Sequence, residues 1–301
     1  MTTDLKVLKS FQFRNIFADL QKKTKWTWNM TIFQTLKRYI QEAILEIIYA
    51  RKIKNRGPKI TCDVPKVLDA IFDMTDNGGK CSYIERHYGV KIGSYYRFLN
   101  IIIDHQLFER FLETCLAQES LPSLAVVDGT HIRSVDGSDG VSFGFKERGK
   151  RAIKLTLLTS TKKVVYGSIL HPDNKNDHTA FGDFAINNPR NKPLDVLADA
   201  GYNGKDFKAI CAKNGYNIIS CPKKNIQERP SNYQTLLLKM NRSGIEHVNA
   251  QVKRFRAIQV KYNKAVKFFN CYLQLVLLLV SIHNGYIRNG FGSGTPLQSS
   301  T

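Results

Sequence analysis

Apolar residues repeat at three and four along the first third of the chain, then give way to short continuous runs. Ile32, Leu36, Ile40, Ile44 and Ile47 predict a helix from about Thr31 to Ile53, closed by ARKIKNRGPK with its cations and Gly-Pro break. Residues 64 to 116 predict three more helices. Asp63 caps the first, VPKVLDAIFDM, with Pro65 in its first turn and Asn77-Gly78-Gly79 at its end. CSYIERHYGV and KIGSYYRFLNIIIDH follow, parted by the Gly89-Val90 turn, which is the punctuation of a helix-turn-helix. In that arrangement Lys91, Ser94, Tyr95, Tyr96 and Arg97 open a recognition helix toward a groove or phosphates, although helix pairs with a Gly turn occur in any α-rich domain. AQESLPS breaks the helical pattern near residue 118.

From Ser123 the period changes. LAVVD (124 to 128) reads as a short buried strand, IKLTLLTS (153 to 160) and KVVYGSILH (163 to 171) as a hairpin, and a helix follows near 177 to 187. Strand LDVLAD (194 to 199), helix 204 to 213, strand YNIISCP (216 to 222), the helix of RSGIEHVNAQVKRFR (242 to 256) and a final apolar helix (264 to 288) complete the order. A three-strand meander followed by βαβ predicts an α/β fold: a mixed five-stranded sheet flanked by helices, in an RNase H-like layout with the first strand beside the fourth. The expected division is a helical region over 1–118, a sheet domain over 119–290 and a tail over 291–301. CYLQLVLLLVSI (271 to 282) is too short to span a bilayer and reads as a buried helix, so no membrane is expected.

Charge changes this picture. The net charge of +20, from 45 Lys+Arg against 25 Asp+Glu, implies a polyanionic partner, with nucleic acid ahead of an anionic membrane surface. Lys146, Arg148, Lys150 and Arg151 form a basic hairpin edge placed for DNA contact. The six cysteines never reach metal-pair spacing, so a reducing compartment is expected and a zinc site is not.

Candidate chemistry lies in three carboxylates. Asp128 and Asp199 each end an apolar run at or next to Gly, where a buried strand delivers a side chain to the sheet rim. Read as a helix, Arg242, Glu246, Asn249, Lys253 and Arg256 fall within about 80° of one another, beside an apolar stripe of Ile245, Val248, Val252 and Phe255. That strip alone is equally an ordinary salt-bridged face. With Asp128 and Asp199 on adjacent strands, Glu246 completes a cluster of hard oxygen donors for two divalent ions that activate water and stabilise the leaving oxygen of a phosphodiester. His131 is placed to reach DNA or this site, and Asp177-His178 to cap the helix that follows.

VVDGTHI (126 to 132), HPDNKNDHTAF (171 to 181), VLADAGYNG (196 to 204) and RSGIEHVNAQVKRFRAI (242 to 258) stand in the order seen in the DDE transposases of bacterial insertion sequences, in the branch also similar to Harbinger transposases. The resemblance implies an acidic triad at Asp128, Asp199 and Glu246 that binds Mg²⁺, or Mn²⁺ in its place. It implies DNA contacts from Arg242 and Lys253, with Lys239 where the family has Tyr. It also implies binding of terminal inverted repeats and target DNA by at least a dimer, cleavage and strand transfer, and a nucleoid location, or a nuclear one in a eukaryote. A catalytically silent DNA-binding derivative and a nuclease without strand transfer are the competing expectations.

Overall fold

The computed structural model describes residues 30–53, 63–117, 122–135, 139–143, 150–220, 231–263 and 265–288. Lys146, Arg148, Asp136, the basic segment before residue 30 and the tail from 291 lie outside the described residues.

Helices α1 (Met30–Ile53), α2 (Val64–Asn77), α3 (Cys81–Tyr88), α4 (Ile92–Asp104) and α5 (Leu107–Ala117) come first. The Asp63 side chain accepts from the Lys66 amide at the start of α2, and Gly78 ends that helix. Gly89 closes α3 with φ 65°, a left-handed residue that lets α4 turn away at once. The expected three helices over 64 to 116 are four. The third, KIGSYYRFLNIIIDH, ends at Asp104 as α4, Gln106 takes φ 49°, and the unexpected fourth, α5, starts at Leu107.

The sheet comprises β1 (Leu124–Ser134), β2 (Ser142–Phe143), β3 (Arg151–Ser160), β4 (Val165–Pro172), β5 (Leu194–Ala198), β6 (Tyr216–Ser220) and β7 (Val260–Lys261). β4, β3, β1, β5 and β6 lie side by side, with β3 and β4 antiparallel and β5 and β6 parallel to their neighbours. This is the RNase H-like order expected. The two-residue strands β2 and β7 add to the edges of β3 and β1. β1 differs from expectation: it runs six residues past Asp128. THIRS, whose one apolar residue is Ile132, pairs with β3 as far as Arg133↔Ala152.

α6 (Asp177–Asn187) and α7 (Lys205–Lys213) cover one face of the sheet, and α8 (Asn232–Arg254), the short α9 (Arg256–Gln259) and α10 (Val266–Ile282) cover the other. The N-terminal helices pack on that second face too, in one apolar cluster running from Leu36 to Ile282. Tyr95 on α4, expected to face a groove, is buried, its hydroxyl 2.6 Å from that of Tyr272 on α10. Tyr96 packs on Phe268. α10 and the turn after it form a 20-residue helical stretch, Val266–Gly285, inside the expected helix 264 to 288 and longer than its apolar run 271 to 282. Length and composition would let it cross a membrane, yet 67% of its apolar window is buried inside the protein.

Candidate active site

β1 and β5 make the seam on which the site is built. They pair in parallel only from Leu124↔Asp195 to Val126↔Leu197, and β5 ends at Ala198. Two further steps in the same register place Asp128 against Asp199. Asp128 is therefore not at the end of its strand, as expected, but at the point where β1 loses its parallel partner. Beyond Ala198 the chain turns through Ala200–Tyr202, and the Asp199 carboxylate accepts from the Gly201 amide at 2.8 Å.

α8 brings the third carboxylate. Ile245, Val248 and Val252 are buried in the large apolar cluster and fix the roll of the helix. Glu246 then lies exposed at the seam, and Asn249, one turn further on, donates to Asp128 Oδ2 at 2.8 Å. Asn249 is 7% exposed and its own Oδ1 has no hydrogen-bond partner. Asp128, Asp199 and Glu246 line one cavity of about 210 Å³ together with Thr235, Lys239 and Ile245. Burial first, and then the negative fields of Asp199, Asp177 and Glu246, push the Asp128 carboxyl up to about 6, against the pull of the Gly129 amide. A hard divalent cation would relieve that repulsion, and oxygen donors of this kind are what Mg²⁺ and Mn²⁺ take. Among the described residues no three His, Cys, Asp or Glu side chains already form a metal cage. Asp128 is engaged with Asn249 and Asp199 with its own turn. Asp128, Asp199 and Glu246, which line one cavity, carry the oxygen donors such ions take and are the residues that could hold one.

A fourth carboxylate stands close by. Asp177 is the first residue of α6, not its cap, which is Asn176. Lys154 Nζ, from β3, lies 2.9 Å from Asp177 Oδ1 and donates to the Lys175 carbonyl at 3.1 Å. Burial, followed by the charges of Asp177, Asp128 and Asp199, holds the Tyr202 hydroxyl well above its ordinary range. Next to Lys154 in the sheet, His131 Nδ1 is hydrogen-bonded to the buried Asp173, while His171 Nε2 lies 3.1 Å from Thr156 Oγ1. His131 is thus committed to Asp173, which accounts for it more directly than DNA contact.

The other expected DNA contacts divide. Lys253 is half-buried two turns beyond Glu246 on α8, and the Arg242 position is one turn before it. Arg256 leaves the strip: α8 ends at Arg254, Phe255 is extended, and Arg256 begins α9, with its Cβ beside Gly78 at the end of α2. Lys150 and Arg151 are exposed, with the Arg151 guanidinium 5.3 Å from the centre of the Phe143 ring. Lys91, the cap of α4, and Arg97 within it are exposed. The sequence reading gave no role to Asn249 and Thr235; the available signal was their spacing from Glu246, one turn after it and three turns before.

Several solved structures are similar. The chain aligns with a piggyBac transposase synaptic complex with hairpin DNA at 8% identity and TM-score 0.44, covering 96% of this chain and 77% of that one. The catalytic domain of Mos1 mariner transposase matches at 12% identity and TM-score 0.26, covering 59% and 93%. The catalytic core domain of BIV integrase matches at 11% identity and TM-score 0.30, covering 54% and 83%. Among curated proteins none matches the sequence. The model of one family, described as the transposase DDE domain, matches residues 119–280, a span holding all three seam carboxylates. That is more than half of the 301 residues, and the chain belongs to the transposase DDE domain family.

Proposed function

We propose that this protein is an active transposase of the insertion-sequence type, in the branch akin to Harbinger, which cuts and joins DNA at the seam between β1 and β5. The observation that carries the reading is the convergence of Asp128, Asp199 and Glu246 on one cavity, from two parallel strands and a helix tied to β1 by Asn249. Divalent ions bound there supply water activation and a counter-charge for the leaving oxygen. The chain's own residues do the rest. Asn249 keeps Asp128 turned toward α8, and the Gly201 amide holds Asp199 at the mouth of its turn. Lys239, exposed at the cavity wall, supplies a point charge for a phosphate where the family has Tyr. Arg242 and Lys253 flank Glu246 along α8 and hold the DNA backbone on either side.

In hydrolysis, water attacks phosphorus and the departing 3′-oxygen takes up a proton. In strand transfer, the freed 3′-hydroxyl attacks a target phosphodiester, forming one P–O bond as another breaks. The net charge of +20 suits binding of two duplexes, and two element ends require at least a dimer during reaction.

The test is cleavage of an end-labelled duplex carrying the DNA that flanks the gene, in Mg²⁺ or Mn²⁺ against EDTA, by wild type and Glu246→Gln. The expected result is metal-dependent nicking at one fixed boundary, reduced at least about a hundredfold in the variant. Salt-sensitive binding without cutting by either protein would overturn the enzymatic reading and leave a DNA-binding protein in its place.

A further inference from the structure

Asp177 takes no part in the three-carboxylate chemistry, yet it touches both chain segments that carry it. Gly129 directly follows Asp128, and a Cβ placed on it would lie 2.8 Å from Asp177 Oδ1. Gly201, whose amide holds Asp199, would carry a Cβ 3.6 Å from Asp177 Oδ2 and 2.9 Å from Asp199 Oδ1. The Asp177 carboxylate therefore fills the space beside Gly129 and lies within van der Waals range of the Gly201 position, where the Asp199 carboxylate itself is what a Cβ would strike. Neither glycine needs a left-handed backbone, so close approach is what excludes a side chain there.

The carboxylate is held in that space from behind. Lys154 reaches it from the neighbouring strand with a side chain only 8% exposed, and the Lys175 carbonyl fixes the ammonium in turn. Lys154 sits opposite His131 in the β1–β3 register, two residues along β1 from Gly129, so the brace is anchored in the strand pair that does not end at the seam. Three separated sequence blocks, VVDGTHI, HPDNKNDHTAF and VLADAGYNG, thus meet on one side chain.

We propose that Asp177, braced by Lys154, is a positioning residue whose carboxylate fixes the spacing of the β1 and β5 segments that present Asp128 and Asp199, and so the geometry of the metal site. The inference rests on the three-carboxylate reading above. A salt bridge serving the fold alone would sit anywhere on the surface; this one is wedged where β1 and β5 part. Mg²⁺ demands near-ideal octahedral geometry, so a loosened spacing penalises it before Mn²⁺.

The experiment measures Mn²⁺ binding to the full chain by calorimetry, with thermal unfolding in EDTA alongside, for wild type, Asp177→Ala, Gly129→Ala and the double variant. Each single change is expected to weaken Mn²⁺ binding about tenfold, the scale of lost support behind a metal ligand. The double variant is expected to be no weaker than Asp177→Ala, because the added methyl then has no carboxylate to displace. In nicking assays the half-saturating Mg²⁺ concentration is expected to rise more than that of Mn²⁺. Wild-type affinity in Asp177→Ala, or independent losses that add in the double variant, would overturn the proposal. If an alanine variant fails to fold, the isosteric Asp177→Asn carries the same test, with weakened binding expected and unchanged binding overturning it. A wild type that binds Mn²⁺ but does not cut DNA would remove the transposase reading and leave the positioning role standing. A wild type that binds no Mn²⁺ would overturn both.

Discussion

The two faces of the sheet are built differently. One carries a single apolar cluster that joins the N-terminal helices, α8, α9 and α10, with Phe269, Leu273, Leu275 and Leu278 fully buried within it. The other carries a smaller cluster around Phe181, Val196 and Ile218, and beside it the polar group of Lys154, Asp177, His131, Asp173, Thr156 and His171. β1 alternates between them: Val126 and Ile132 belong to the large cluster, Ala125 and Val127 to the small one. Asp128 emerges on the large face, where Asn249 meets it, and Gly129 on the small face, where Asp177 does. The large face thus supplies the rigid mounting of the site, and the small face sets its spacing.

The comparison breaks most visibly in the core. Leu275→Ala is expected to cost about 3–5 kcal/mol in urea unfolding, while the folded fraction keeps wild-type Mn²⁺ affinity. A tenfold loss of affinity in folded Leu275→Ala would erase the division of labour. On the small face, His131→Leu leaves the carboxylate of Asp173, whose side chain is 0% exposed, without its hydrogen-bond partner. The expected cost is about 2–4 kcal/mol, largely recovered by adding Asp173→Asn, and a single variant as stable as wild type would contradict the pairing.

Asp128→Asn is expected to stabilise the metal-free protein. The folded carboxyl stands at about 6 against an ordinary 3.8, so the fold binds the proton more tightly than the unfolded chain does and the ionised form is the penalised one. The penalty is full above about pH 6 and fades as pH falls toward 4, so the variant's advantage, on the order of 1–3 kcal/mol at pH 7.5, should vanish by pH 4. An advantage independent of pH would assign the effect to something other than this carboxylate. Smallest of all, Lys175→Ala removes an exposed pair with Asp183, 2.7 Å apart, and should change stability by less than about 0.5 kcal/mol.

Much of this arrangement is legible in the sequence. The change from helical period to short apolar runs gives the strand order, and the βαβ connection puts Asp128 beside Asp199. The apolar stripe Ile245, Val248, Val252 turns Glu246 toward them. What the sequence hides depends on pairing at a distance. THIRS looks like loop because Ile132 is its one apolar residue among four polar ones; the long partner β3 makes it strand. The end of α8 at Arg254 is not marked by Gly or Pro, so Arg256 seemed to continue the strip. Asp177 reads as a helix cap because its neighbours suggest one, whereas its partners are Lys154, Gly129 and Gly201, each more than twenty residues away. The glycines beside the two aspartates were the visible sign, and only the fold shows what fills them.

The central claim is that Asp128 and Asp199 share a divalent ion with Glu246 at its side. Anomalous diffraction from crystals of the full chain soaked in Mn²⁺ tests it most directly. The account predicts density between the Asp128 and Asp199 carboxylates, with Glu246 approaching it, and loss of that density in Asp128→Asn. A well-ordered crystal with no manganese there, or with manganese bound only elsewhere, would contradict it.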